Sequence, residues 1–178
     1  CPPMHRALSM SSAKRGKSEV GISEKCSTKS WSGGPPMVVI DANAALEMAF
    51  EGERGDALRA LLLQGEEAIA PSVFHSEVSN ACFKYAAFGS MGEGKAQVLL
   101  DRAEALVDCF HDDASLAKEA LSESIRCRHP VYDMFYLVLA RRTGATLFTL
   151  DKKMWALARD MHVNCVEEAD FRSLSVLV

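Results

Sequence analysis

Four carboxylates and two small polar side chains stand out for where they fall among strand and helix signals. Asp41 ends the apolar run "MVVID", and Asn43 follows two residues later. Glu77 lies inside the helical run "SVFHSEVSNACFKYAAFG". Asp133 opens "VYDMFYLVLARRTG", and Asp151 ends "ATLFTLD", two residues after Thr149. Each has an ordinary reading on its own. Asp caps helices and interrupts strands, and an acid in the first turn of a helix is favoured by the dipole. Together they suit one kind of chemistry, a carboxylate cluster around a hard divalent cation. Oxygen ligands without His or Cys select Mg²⁺, with Mn²⁺ the alternative, over zinc. Like charges held close together disfavour ionisation, and a cation relieves that cost.

The chain between these residues must bring them to one place. "MVVID" reads as a buried strand, "ANAALEMAF" and "RGDALRALLLQG" as helices, and "EAIA" as a second strand stopped by Pro71. A helix with Ser72 as its candidate N-cap carries Glu77. "GEGKAQVLLDRAEALVDCF" begins as a helix and passes into a third strand over 107–111. "DASLAKEALSESIRCR" is amphipathic, and "VYDMFYLVLARRTG" is apolar nearly all round, hence central. "ATLFTLD", the helix "KKMWALARDMH" and a last strand "VNCVEE" complete the series. Strands alternating with helices imply an α/β fold with a parallel sheet covered on both faces.

In such a sheet Asp41 and Asp151 emerge at the same edge. The helix of Asp133 precedes the fourth strand and runs antiparallel to it, so its start lies at that edge too. Glu77 sits at the margin of a stripe formed by Phe74, Val78, Ala81 and Tyr85. A carboxylate turned toward apolar surface needs a partner.

Composition bounds the remaining classes. The 178 residues are 48% hydrophobic, which suits a globular core, and no apolar run approaches the ~20 residues of a membrane span. Six cysteines, at positions 1, 26, 82, 109, 127 and 165, form no C-x-x-C pair, and they read as reduced thiols of a cytoplasmic protein. Scattered histidines argue against zinc. Residues 1–36 are rich in Ser, Lys and Gly without apolar periodicity, so they read as a disordered extension ahead of a domain over 37–178. The extension holds 6 Lys+Arg and 2 Asp+Glu; taken from 20 and 24 for the whole chain, that leaves 14 and 22 in the domain. So acidic a domain does not attract nucleic acid by its overall field.

The order strand–Asp41, helical Glu77, Tyr132–Asp133 and Thr149–Asp151 resembles the PIN domain, in particular the VapC-type toxin ribonucleases. The resemblance runs from about Val38 to Val166, through "VIDANA", "SEV" and, most specifically, "YDMFYLVLARRTGATLFTLDKKM". It implies a three-layer α/β/α domain, with a central parallel sheet of four to five strands, acting as a metal-dependent endoribonuclease. Asp41, Glu77, Asp133 and Asp151 would be its acidic quartet and Mg²⁺ ligands, with Asn43 and Thr149 as supporting polar residues. The segment "MGEGKAQVLLDRAEA" would form a helical clip. The resemblance also implies a cognate antitoxin and a homodimer. The extension is a departure that the family pattern does not require.

Arg126 and Arg128, just before the helix of Asp133, and Lys152 and Lys153, just after Asp151, flank the acids and are candidates for phosphates of single-stranded or loop RNA. His75, beside an apolar stripe, reads as structural rather than as a base. Two rivals share the opening strand–Asp. A haloacid-dehalogenase-like phosphohydrolase expects Asp where Asn43 stands, and a receiver-type module expects paired early acids and a late Lys. A PIN-like fold kept only for RNA binding or regulation is a third alternative, and the intact quartet argues against it. If the boundary is right, removing residues 1–36 leaves melting temperature and nuclease activity close to those of the full chain. A loss of several degrees in a thermal-shift assay contradicts it.

Overall fold

The computed structural model describes residues 36–50, 52–61 and 66–166. The extension up to residue 35, the end of the expected second helix and the last two residues of "VNCVEE" lie outside the described residues. Four strands form the sheet: β1 (Met37–Ile40), β2 (Glu67–Pro71), β3 (Cys109–His111) and β4 (Thr146–Phe148). All pairs are parallel, in the order β3-β2-β1-β4. Between and after them come α1 (Ala42–Ala49), α2 (Glu53–Leu61), α3 (Val73–Phe88), α4 (Glu93–Glu104), α5 (Asp113–Cys127), α6 (Val131–Thr143) and α7 (Lys152–Asp160).

Val38, Val39 and Ile40 of β1 are buried on both faces, and so are Ala68, Ile69 and Ala70 of β2. That explains why both strands read as unbroken apolar runs rather than as alternating ones. The chain leaves β1 toward β2 and β3, then returns to place β4 on the other side of β1. The reversal of strand order therefore falls between β1 and β4. Open parallel sheets carry their ligand crevice at such a point, outside the carboxyl ends of the strands. Asp41 follows β1 and Thr149 follows β4, so the topology sets both residues at that crevice.

Helix α6 packs against the sheet and buries Met134, Tyr136, Leu137, Val138, Leu139, Ala140 and Thr143. Pro130 precedes it, and Gly144 ends it in the left-handed conformation (φ 68°), with its N–H on the Ala140 carbonyl. The expected clip segment forms α4, which packs on α1 and α3 through Ala96, Leu99 and Ala103.

Some expectations need correction. Ser72 makes no side-chain cap, because its backbone is already helical (φ −64°, ψ −22°). Its hydroxyl instead donates to the His111 carbonyl at 3.0 Å and ties the end of β2 to β3. The third strand spans only Cys109–His111, and "VNCVEE" contributes a single parallel bridge, Leu147 to Cys165. The buried stripe of α3 is Phe74, Val78 and Cys82, whereas Tyr85 is 37% exposed and meets Phe50 edge-on. Cys82, Cys127 and Cys165 are free thiols as expected, but Cys109 is disulfide-bonded. Among the described residues no helix is long and apolar enough to cross a membrane.

Phe74 is fully buried and packs on Phe110 at a ring separation of 5.7 Å, which fastens the first turn of α3 to β3. Phe74→Ala is expected to destabilise the domain by roughly 3–5 kcal/mol. Urea unfolding should show a lower midpoint with an unchanged slope; a loss under 1 kcal/mol would mean that α3 is held elsewhere.

Candidate active site

Asp41 is the most constrained carboxylate, only 3% exposed. Its Oδ1 accepts from the Ala44 N–H at 2.6 Å, which caps α1, and its Oδ2 accepts from the Thr149 hydroxyl. Thr149 is fully buried, and its Oγ1 also accepts from the Asp151 N–H at 3.0 Å. One hydroxyl thus joins the ends of β1 and β4. Asp151 caps α7 through Oδ1, which accepts from the Lys153 N–H at 2.7 Å, and the Trp155 indole N–H reaches the Thr149 carbonyl at 2.9 Å.

The other two acids are steered by residues at one end of α6. The Tyr136 hydroxyl donates to Glu77 Oε2 at 2.6 Å. His129 Nε2 meets Asp133 Oδ2 at 2.5 Å, and His129 is itself held by its N–H on the Ser124 carbonyl at 3.1 Å. Each outer carboxylate has one oxygen engaged this way, which fixes the direction of the other.

The four carboxylates line one cavity of about 210 Å³, together with Asn43, Asn80, Lys84, Tyr136 and the apolar Ala42, Ala81 and Met154. Burial pushes Asp41 up from 3.8 to about 6; the Thr149 and Ala44 hydrogen bonds oppose this, and the charges of Glu77 and Asp133 add to it. Glu77 is also raised, chiefly by burial and then by Asp133, against the Tyr136 hydrogen bond. Burial and the Glu77 charge hold the Tyr136 phenol well above its ordinary value, so it stays a donor.

Among the described residues no three His, Cys, Asp or Glu side chains are placed to hold one ion together. Mg²⁺ keeps several waters and is commonly bound through one or two carboxylates plus substrate phosphate. The donor set is oxygen only, and a buried carboxylate with two acidic neighbours is a place where a cation relieves both desolvation and repulsion.

Thr149 does not line the cavity; it acts behind it, through Asp41. Arg126, Arg128, Lys152 and Lys153 are not among the lining residues. Arg126 pairs with Glu123 at 2.6 Å, Arg128 is the left-handed C-cap of α5, and the two lysines are exposed in the first turn of α7. His75 contacts Glu104 at 2.7 Å and stacks on Phe110, the structural role expected of it. Sequence reasoning missed His129, Tyr136, Asn80 and Lys84. Spacing held the signal: His129 is four residues before Asp133 and Tyr136 three after, while Asn80 and Lys84 are three and seven after Glu77.

Known proteins bear on this geometry. A buried Asp at a strand end, joined by a Thr hydroxyl to the neighbouring strand and facing acids from two helices, defines an acidic α/β site. The model of the PIN domain matches residues 38–160, and the chain belongs to that family. Membership removes the dehalogenase-type and receiver-type rivals. The chain is 27% identical over 119 residues to ribonuclease VapC3 of Pyrobaculum aerophilum, a match covering 66% of this chain and 91% of that protein. It also resembles the crystal structure of PAE2754 from Pyrobaculum aerophilum. That likeness has a TM-score of 0.59 at 20% identity and covers 79% of this chain and 90% of the other, so it bears on the fold alone.

The raised Asp41 has a stability consequence. Below its unfolded value of 3.8 both states are protonated and Asp41 costs nothing; between 3.8 and about 6 the unfolded chain loses its proton first, and above about 6 the loss of stability is complete. Asp41→Asn keeps a cap-competent side chain and removes that cost. In EDTA the variant is expected to exceed the parent at pH 7.5 by on the order of 2 kcal/mol, with the gap closing toward pH 4. Denaturant melts at both pH values check this; a variant less stable at both would mean that the Thr149 bond outweighs the desolvation.

Proposed function

We propose that the protein is a divalent-metal-dependent endoribonuclease, the toxin of a toxin–antitoxin pair. The observation that carries the reading is the cavity in which a buried Asp41 meets Glu77, Asp133 and Asp151. Membership of the PIN family and likeness to a protein named ribonuclease VapC3 support it. Mg²⁺ is the proposed ion, with Mn²⁺ its substitute. A cytoplasmic location, a cognate antitoxin and a homodimer belong to the same reading, by way of the VapC likeness.

The residues divide the work. Asp41 and Asp133 would hold the ion directly, with Glu77 reaching it through a bound water, and Asp151 would hold a second ion or orient water through Oδ2, since its Oδ1 is engaged by α7. When bound, Mg²⁺ supplies the positive charge that acidifies an attacking water and offsets the charge gathering on the phosphate. The lining residues include no Ser, Thr, Cys or His, and the Tyr136 proton is committed to Glu77. With the carboxylates taken as ligands to the ion, water is the proposed nucleophile. Tyr136 and His129 would keep their carboxylates aimed as charge develops, and Asn43, exposed at the rim, can hydrogen-bond a phosphate or sugar oxygen.

The test is incubation of the full chain with labelled single-stranded RNA, in Mg²⁺ or in EDTA, beside an Asp133→Asn variant. Cleavage is expected only with metal, and the variant should lose at least about a hundredfold in rate while keeping its fold. Mg²⁺ should also raise its melting temperature less than the parent's, because stabilisation tracks affinity for the folded state. Cleavage that persists in EDTA, or a fully active Asp133→Asn, overturns the reading.

A further inference from the structure

The cavity has one wall unlike the rest. Along α3, Glu77, Asn80, Ala81 and Lys84 all line it, a spacing of i, i+3, i+4 and i+7 that sets them on one helix face. Asn80 and Lys84 are exposed. Lys84 is the one basic side chain among the lining residues, and among the described residues it forms no salt bridge. Arg126, Arg141 and Arg142 lie outside the cavity lining and are committed elsewhere, Arg126 to Glu123 and Arg141 and Arg142 to Glu119, each at 2.6 Å.

A polyanion that brings one phosphate to four carboxylates meets repulsion on either side of that point. The domain's overall charge does not offset it, so a local cation must. Lys is a compact charge on a flexible stem and suits a phosphate without demanding one geometry. Lys84 stands seven residues beyond Glu77, about 10 Å of helix rise, which places it at a phosphate beside the one under attack. Asn80, between them, offers an amide that can both donate and accept, as a 2′-hydroxyl requires.

We propose that the exposed face of α3 is the substrate track of this site, with Lys84 holding a flanking RNA phosphate and Asn80 the sugar between it and the acids. The proposal rests on the nuclease reading above and deepens it. Lys84 is then a substrate-binding residue, felt in KM and in salt dependence rather than in the chemical step.

The test compares the parent with Lys84→Met, Lys84→Arg and, as a control for loss of any exposed lysine, Lys118→Met on α5. Binding of a short fluorescein-labelled single-stranded RNA is followed by anisotropy across a salt series with Ca²⁺ in place of Mg²⁺, so that the carboxylates are neutralised, and cleavage kinetics are measured in Mg²⁺. Lys84→Met is expected to weaken binding and raise KM about two- to fivefold, as for one exposed ionic contact, with kcat little changed. Its salt slope should fall by about 0.7, the share of one single-strand phosphate. Lys84→Arg should restore the slope, and Lys118→Met should leave it at the parent's value. A Lys84→Met protein with parental KM and slope, while the parent cleaves, overturns the track and leaves the nuclease reading standing. A parent that binds RNA without cleaving it refutes the nuclease reading alone, since the slope comparison still reports on Lys84; a parent that does not bind RNA overturns both.

Discussion

The structure depends on keeping one carboxylate, Asp41, out of water at the end of the central strand. The β1–β4 register pairs Val38 with Thr146 and Ile40 with Phe148, and one more step sets Asp41 beside Thr149. The Asp41 N–H continues the ladder to the Phe148 carbonyl at 3.1 Å. The side chain then draws one hydrogen bond from the helix it caps and another from the neighbouring strand's hydroxyl. These two donors do not cancel the cost of burial, since Asp41 is still raised to about 6. A residue that is costly to the fold but fastened from both sides is what the proposed site would require.

Helix α6 carries the second half of the arrangement. His129 precedes its first turn, and Asp133 and Tyr136 follow at the spacing of one helix face. The rest of the helix is packed so fully that it cannot rotate without exposing Leu137, Val138 and Leu139, all at most 1% exposed. Its far end is gripped by Arg141 and Arg142 on Glu119 and by Arg142 on the Ser115 carbonyl. Exposed pairs of this kind contribute little singly, but here they share one acceptor and fix the tilt of α6 against α5. The aim of Asp133 and Glu77 thus comes from packing and pairing distributed along the whole helix.

How much of this was legible in the sequence follows from the kind of signal each residue left. Asp41 and Asp151 stand at strand ends, where a change of hydrophobic period marks the position. Asp133 opens a helix bounded by Pro130 and Gly144, and each of these could be placed from one dimension. Tyr136 was hidden by its surroundings, because a helix apolar nearly all round reads as core and its hydroxyl's partner lies 59 residues away. Ser72 looked like a cap because caps are recognised by residue type, whereas its backbone conformation decided against it. Arg126 and Arg128 were singled out by nearness in sequence to Asp133. Nearness along the chain says little where a left-handed residue turns it between two helices, and φ 52° at Arg128 is that turn.

The charge balance shapes how such a site must work. A domain holding 14 basic and 22 acidic residues repels RNA at long range, and screening confines that repulsion to roughly 10 Å at ordinary ionic strength. Binding must therefore be won at short range, by a few groups in the cavity and at its rim. On the proposed reading, a cation that neutralises the carboxylates would do more there than lower a chemical barrier, because it would remove the strongest local repulsion in the path of the phosphate. Asp41 and Glu77, the two acids that burial makes costly, line the same cavity as Asp133 and Asp151, so on the proposed reading the stability of the fold, metal affinity and substrate access would be coupled through Asp41 and its neighbours.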